Sequence, residues 1–430
     1  MNLVKSYTEL KILGIGNKLF LIGIFFLASA PTLAIIFIIS SFIVNKKNNL
    51  KNILKDRWNL PLLISSLLMI ISATYHSISV NKISTNWDFS LSWLGLFNWL
   101  PLFCFFWGSQ AYLENNYQRR LFAYSLISGS IPVLVTGICQ YFFGWHGPFE
   151  LLYGFIKWYQ RPIIDPAGLS GLFSNANYAG AWLNIIWPFS IATTIQRNNF
   201  IRKTTILSIF CGILTCIVLT NSRAAWGGLI ISIILVFGIK TIRIIFPLFI
   251  IIGSAILICI RPIFGIYIQN ILRAIIPQKI WMEFTNAGFE GLDTSRLNIW
   301  GSALNYISEN PIFGSGAGSF TSRFISETGF YKGHSHNIIL EIAVSYGLPV
   351  AILISIFLVY ILFLSIRKIK LFQESEDQNI DYFEKAWITV FIVLLISNMV
   401  DVQYLDIRIS LAFWMILAGM KNIISVNEKL

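Results

Sequence analysis

Apolar side chains gather in long runs along the chain, separated by short clusters of Lys, Arg, Asn and Pro. Within a run they occupy nearly every position, so neither the period of two of a barrel strand nor the stripe of a soluble helix describes them. Such runs suit helices crossing a hydrocarbon layer about 30 Å thick, where every backbone hydrogen bond must be made inside the segment. Twelve spans are predicted: Leu19–Ala30, Pro31–Val44, Asn59–Ile78, Phe89–Gly108, Leu121–Phe143, Tyr178–Ile195, Thr204–Asn221, Ala224–Ile239, Ile244–Ile260, Pro349–Ile366, Ala386–Val400 and Ile409–Gly419. The first apolar stretch is either one long tilted helix or two spans; Ser29-Ala30-Pro31, with Lys18 before it and Lys46 and Lys47 after it, favours a short hairpin. That stretch is too long for a signal peptide and lacks a small-residue cleavage site, so it is expected to stay in the membrane. The predicted fold class is all-α: a polytopic integral membrane protein forming a single membrane domain over residues 1–430.

Composition strengthens this reading. The 430 residues are 56% hydrophobic and only 12% charged, against about 25% charged in soluble domains, and the mean hydropathy is +0.69. A water-soluble globule has too little buried volume to hide so much apolar surface. The five cysteines, Cys104, Cys139, Cys211, Cys216 and Cys259, all lie inside apolar runs and read as small core residues, not as disulfide or metal positions.

Charge fixes an orientation. Of the 32 lysines and arginines, 21 fall on one side of the predicted spans and 11 on the other, while the 20 acids divide 9 and 11. The basic side is cytoplasmic by the positive-inside rule, which puts both termini there. The net charge of +12 is therefore topological, which removes the inference from a basic protein to a nucleic-acid partner. The outer side carries seven Arg to four Lys, the inner side seven Arg to fourteen Lys; a planar guanidinium suits a two-point grip on phosphate. One long extracytoplasmic loop, 261–335, is expected to carry short amphipathic helices and, with 144–177, the function. The inner stretch Glu374-Ser375-Glu376-Asp377 reads as a solvated connector.

Three outer stretches hold candidate chemistry. Arg223, in Thr220-Asn221-Ser222-Arg223-Ala224-Ala225, stands at a span end among small residues that leave room for a large anion, although a snorkelling anchor is the simpler reading. Arg296 follows Asp293-Thr294-Ser295, where Thr294 or Ser295 can cap a helix with Leu297, Trp300, Leu304 and Ile307 on one face, lying along the membrane surface. A first-turn arginine then adds to the positive helix end; pairing with Asp293 or Glu290 is the plainer alternative. The following bend, Ile312-Phe313-Gly314-Ser315-Gly316-Ala317-Gly318, lacks the Lys-Ser/Thr ending of a phosphate loop and is expected only to let backbones approach closely. The third stretch, His334-Ser335-His336-Asn337 with Glu341 further on, offers imidazoles suited to proton transfer near neutral pH. His-x-His without a neighbouring Cys or Asp in sequence is weak evidence for zinc, and no metal is expected.

Taken together, Ser222-Arg223, Arg296-x-x-x-Trp300 before Asn310-Pro311-Ile312-Phe313-Gly314, His336-Asn337 before a Gly347 turn, and Gly171-Leu172-Phe173-Ser174-Asn175-Ala176-Asn177 resemble the O-antigen ligase and O-antigen polymerase superfamily. The resemblance runs over 171–349. It implies a glycosyltransferase without metal or cofactor, transferring or polymerising an oligosaccharide from a polyprenyl-diphosphate donor on the periplasmic face of the bacterial cytoplasmic membrane, the acceptor being a glycan or a lipid core. Arg223 and Arg296 would hold the diphosphate, with Arg161 as a further phosphate contact; His336 would activate the acceptor hydroxyl, supported by His334, Asn337, Glu341 and Asn177. Ser345 stands where many relatives have an acid. No Asp-x-Asp pair occurs among the outer acids, as a divalent-cation mechanism would favour. The rival reading is a transporter of a small anion such as bicarbonate, which would want ionisable groups at mid-membrane that these spans nearly lack.

Overall fold

A computed structural model describes residues 13–45, 55–78, 87–164, 168–195, 200–276, 278, 281, 296–373 and 382–425. In chain order the helices are α1 (Ile15–Phe26), α2 (Pro31–Val44), α3 (Leu60–Ile78), α4 (Ser90–Leu96), α5 (Leu100–Ser109), α6 (Asn116–Gly129) and α7 (Ile131–Phe143). After a hairpin of β1 (Phe149–Leu151) and β2 (Ile156–Trp158) come α8 (Ala176–Ile195), α9 (Phe200–Leu219), α10 (Arg223–Phe237) and α11 (Ile242–Ile260). The long loop contains α12 (Ile266–Ile275), α13 (Arg296–Glu309) and α14 (Ser319–Thr328), and the chain closes with α15 (Ile338–Tyr346), α16 (Leu348–Gln373), α17 (Tyr382–Val400) and α18 (Ile407–Ser425).

The molecule is an all-α polytopic membrane protein. Among the described residues, seven helical segments are long and apolar enough to cross a bilayer and four more apolar helices are shorter; α8 falls at the remaining predicted span. α8 is enclosed from Ala179 to Thr193 and carries Asn184, Pro188 and Ser190 inside the bundle. It packs against α9, α10 and α17, while α18 packs against α5, α16 and α17. Trp387 of α17 sits between Phe122 and Phe189, with ring centroids 5.2 and 5.5 Å away. By contrast α11 buries only Cys259, as expected of a helix facing lipid on most sides. Arg119 of α6 and Glu384 of α17 form a buried ion pair, 2.5 Å apart.

Two features depart from the sequence reading. The antiparallel hairpin, pairing Glu150 with Lys157, was not anticipated because three-residue strands leave no usable period. The predicted apolar stripe of α13 also splits: Ile299, Ala303, Tyr306 and Ile307 are buried, whereas Leu297 and Leu304 point outward. At 100° per residue Ile307 lies roughly 80° around from Leu297 and so falls on the inner arc. Asp293, Thr294, Ser295 and Glu290, with the predicted cap and ion pairs of α13, and the connector 374–377 lie outside the described residues.

The glycine-rich bend does what its composition suggests. Gly314 (φ 68°) and Gly347 (φ 93°) adopt left-handed conformations and lie against each other, so a Cβ on Gly347 would run into the Ile312 carbonyl. Leu348 N donates to Pro311 O at 2.8 Å and Ser315 N to Val344 O at 2.6 Å, which locks the corner between α15 and α16. Gly347→Ala combines a forbidden φ with a backbone clash and is expected to lower stability by about 2–3 kcal/mol or more. A drop in the melting temperature in detergent checks it; an unchanged melting temperature would contradict the tight corner.

Candidate active site

One end of the bundle gathers three chain segments on one carboxylate. Asp401, which follows α17 directly, has a side chain only 8% exposed. His336 Nδ1 lies 2.9 Å from Asp401 Oδ1, Asn177 Nδ2 donates to Asp401 Oδ2 at 3.1 Å, and Val402 N donates to Oδ1 at 3.0 Å. His334 Nε2 stands 3.9 Å from the same Oδ1. A buried carboxylate is tolerated only when so surrounded.

Local chemistry explains how the segments reach it. Asn337 caps α15 through its side-chain oxygen, accepting from Ile339 N at 3.0 Å and Leu340 N at 3.2 Å. Its amide nitrogen donates to Met399 O at 3.1 Å, tying the cap to the end of α17. Glu341, one turn on and fully enclosed, accepts from Ser335 N at 2.8 Å and so holds the turn from the other side. His336 itself is left-handed, φ 56°, an uncommon conformation for a non-glycine residue. On the partner segment, Arg408 grips Asp406 with Nε at 2.9 Å and Nη2 at 2.5 Å, lies 3.7 Å above the Phe173 ring and donates to Leu172 O at 3.0 Å. That packing fixes the segment leading to Asn177.

The two predicted arginines flank this cluster. Arg223 opens α10, where Ser222 caps by accepting from Ala225 N, and Arg296 opens α13. Both are exposed. Desolvation lowers the Arg296 pKa, the Asp401 charge opposes that, and Arg223 adds to it, so the three charges sense one another. Arg161 stands apart. Its carbonyl accepts from Gln140 Nε2 at 2.6 Å, and its exposed guanidinium makes no hydrogen bond or ion pair with the His336 cluster.

Protonation follows from the surroundings. Burial pushes the Asp401 carboxyl up, but the His336 hydrogen bond and the charges of His336, His334 and Arg296 bring it below its ordinary value. Asp401 is an anion at neutral pH. His334 is driven down to about 4 by burial, then by His336, and Asp401 only partly restores it. It is neutral, and its Nδ1 accepts from His336 N at 3.2 Å. Burial raises the Glu341 pKa. With Asp401 anionic, His336 Nδ1–H donates to it, which leaves Nε2 as the acceptor.

His334, His336 and Asp401 offer donor atoms within 4.8 Å of one another, the geometry of a possible metal site. The fold thus supplies the Asp that the sequence stretch lacked. The hydrogen bonds argue against a metal: the Asp401 oxygens are already engaged, His336 Nδ1 points at one of them, and Arg223 and Arg296 add positive charge nearby.

This is an integral membrane protein, one end of whose bundle carries a carboxylate-oriented imidazole beside two guanidinium groups. Residues 206–355, 150 of the 430, match the family model described as O-antigen ligase, and over that region the chain is similar to that family. No curated protein matches the chain. The matched region contains Arg223, Arg296, His334, His336, Asn337 and Glu341 but neither Asn177 nor Asp401.

Asp401 is the residue sequence reasoning missed. Its signal was available: an acid at the outer end of an apolar run, in Met399-Val400-Asp401-Val402-Gln403, with no basic neighbour in sequence to neutralise it.

Because His334 is neutral when folded but ionises near pH 6.5 when unfolded, the native state binds fewer protons between those values. Stability is therefore lost as pH falls below 6.5 and levels off near 4. Lowering pH from 7 to 5 should cost on the order of 2 kcal/mol through this group. His334→Gln should shrink the accompanying fall in melting temperature; an identical pH dependence in the variant would refute the assignment.

Proposed function

We infer that the chain transfers or polymerises an oligosaccharide from a polyprenyl-diphosphate donor at the periplasmic face of the bacterial cytoplasmic membrane, with both termini in the cytoplasm. The observation that carries this reading is the meeting of His336, Asp401, Arg223 and Arg296 at one end of the bundle. An acceptor hydroxyl, on a growing glycan or a lipid core, attacks the anomeric carbon. Its proton passes to His336 Nε2, the bond from that carbon to the diphosphate oxygen breaks, and the departing diphosphate takes the electron pair. Asp401 holds the imidazole in the required tautomer and stabilises the imidazolium that forms, as a buried carboxylate does behind other histidine bases.

Arg223 and Arg296 are suited to the charge that develops on the leaving diphosphate, a task that needs no metal when guanidinium groups are preorganised. Attack opposite the leaving group inverts the anomeric centre. Energy arrives with the donor, which suits a compartment without ATP. Neutral His334 supports His336 by accepting its backbone N–H, and Asn177, Asn337 and Glu341 act through position.

Arg223→Ala, Arg296→Ala and His336→Ala should each lower transfer by about 100-fold or more in purified protein supplied with lipid-linked donor in detergent, at unchanged protein level. Near-wild-type transfer in all three defeats the assignment, and product formed without a membrane gradient excludes a purely transport role. Asp401→Asn, which keeps shape but loses charge, should reduce kcat at least about 100-fold with little change in KM. Thorough chelation of divalent cations should leave the rate unchanged; loss restored by added zinc would instead assign His334, His336 and Asp401 to a metal. In a deletion strain, unattached full-length chains identify a ligase and single unpolymerised units a polymerase.

A further inference from the structure

The hairpin of β1 and β2 carries its largest apolar side chains where the protein does not cover them. Leu151, Leu152, Tyr153 and Phe155 form its tip, Leu152 being 65% exposed and Tyr153 fully so. The tip is also built against local preference: Leu152 (φ 52°) and Tyr153 (φ 55°) both adopt left-handed conformations ahead of Gly154 (φ 85°). Asn, Asp or Gly take such a turn with little strain, whereas bulky apolar residues do so at a cost. In water the turn would lose twice, in backbone strain and in exposed apolar surface.

The base of the hairpin, by contrast, is firmly held. Gly147 N donates to Gln160 O at 2.7 Å, Gln160 Nε2 to Thr136 O of α7 at 3.0 Å, and Trp158 Nε1 to Ser29 O at 2.6 Å. The last contact sets the depth of the hairpin. Ser29 lies in the corner between α1 and α2, helices of 12 and 14 residues that rise only about 18 and 21 Å, short of the thickness of about 30 Å of a hydrocarbon core. Such a pair ends near the boundary of hydrocarbon and headgroups, not in open water. Arg408 donates both to Ala28 O in this corner, at 3.4 Å, and to Leu172 O, at 3.0 Å, so the hairpin stands at the end of the bundle that carries His336.

Sideways the tip continues a surface already turned to lipid. α7 closes the apolar span Asn116–Phe143, and Ile131, Val135 and Phe142, four and seven residues apart on one face, are exposed along it. Phe143 and Trp145 carry that exposure past the end of the helix to the start of the hairpin, and aromatic side chains are favoured at the membrane boundary. The charges beside the tip cancel, since Lys157 Nζ lies 2.9 Å from Glu150 Oε1 across the strands. We propose that the tip of the hairpin is an interfacial anchor, its apolar side chains seated among the headgroups and upper acyl carbons of the phospholipid leaflet around the bundle. The contact is apolar and not electrostatic, and it stands independently of the glycosyltransferase reading.

The test reads the depth of position 153. Tyr153→Cys, in a chain whose five native cysteines are replaced by alanine, is labelled with an environment-sensitive fluorophore and placed in phospholipid nanodiscs, with Ser326→Cys on the exposed face of α14 as the reference. At 153 the emission should shift to the blue, bromine on the upper acyl carbons should quench it more strongly than bromine near the chain ends, and aqueous iodide should quench it less than at 326. Quenching by bromine should survive high salt and the exchange of zwitterionic for anionic lipid; its loss at high salt overturns the apolar contact. Equal iodide quenching at the two positions, with no response to brominated lipid, overturns the proposal. Protection from iodide that needs added soluble glycan, or that grows with the number of copies per nanodisc, overturns it in favour of a sugar or of a second copy of the chain. In the unmodified protein, a phospholipid bearing a diazirine on its upper acyl carbons should label peptide 149–159 together with the lipid-facing peptide 131–143; labelling of 131–143 alone overturns the proposal even where the cysteine variants do not fold.

Discussion

The hydrogen bond between His336 and Asp401 is the constraint around which this end of the bundle is arranged. A carboxylate so thoroughly buried would ordinarily take up a proton, since desolvation penalises its charge. It stays ionised because Asn177, His336 and the Val402 amide all point at it and Arg296 lies near. These partners come from segments more than 200 residues apart in sequence. Once buried, the carboxylate stays anionic only with these partners assembled around it, so its charge and the packing of the bundle depend on each other.

That dependence gives roles to features that look unrelated along the chain. Glu341 and Asn337 shape the tight turn that puts His336 at φ 56°. The glycine corner at Gly314 and Gly347 fixes the direction of α15 and hence of its cap. On the other side, Arg408 and Asp406 clamp Phe173 and Leu172, which makes the Gly171–Asn177 element a positioning device for one amide nitrogen. Together these features convert a strained histidine turn and a buried acid into a fixed geometry, which the proposed role of His336 as a base requires.

The membrane frame and much of the site were legible in the sequence, each for a different physical reason. Spans are legible because hydrocarbon imposes a length and a composition on each segment independently of its neighbours. Arg223, Arg296 and His336 stood out because ionisable groups at the ends of apolar runs are conspicuous. Asp401 has the same property, yet it was passed over because its partners lie 65 and 224 residues away and nothing local pairs it with a histidine. Arg161, an outer arginine by composition, is met in the fold through its carbonyl, which accepts from Gln140 Nε2. The inward arc of α13 was misplaced because a helix between lipid and protein has two apolar faces, and hydrophobicity alone cannot tell them apart.

Asp401 also shows where the matched region stops being sufficient. Residues 206–355 carry the imidazole and both guanidinium groups, but the acid that orients the imidazole comes from beyond them, on the end of α17. The same helix end is tied to the cap of α15, since Met399 O accepts from Asn337 Nδ2 at 3.1 Å, and to the loop that follows it, since Asn398 Oδ1 accepts from Gln403 N at 3.2 Å. A displacement of this helix end would therefore carry the carboxylate and the turn that bears His336 together, which keeps the pair aligned as one unit.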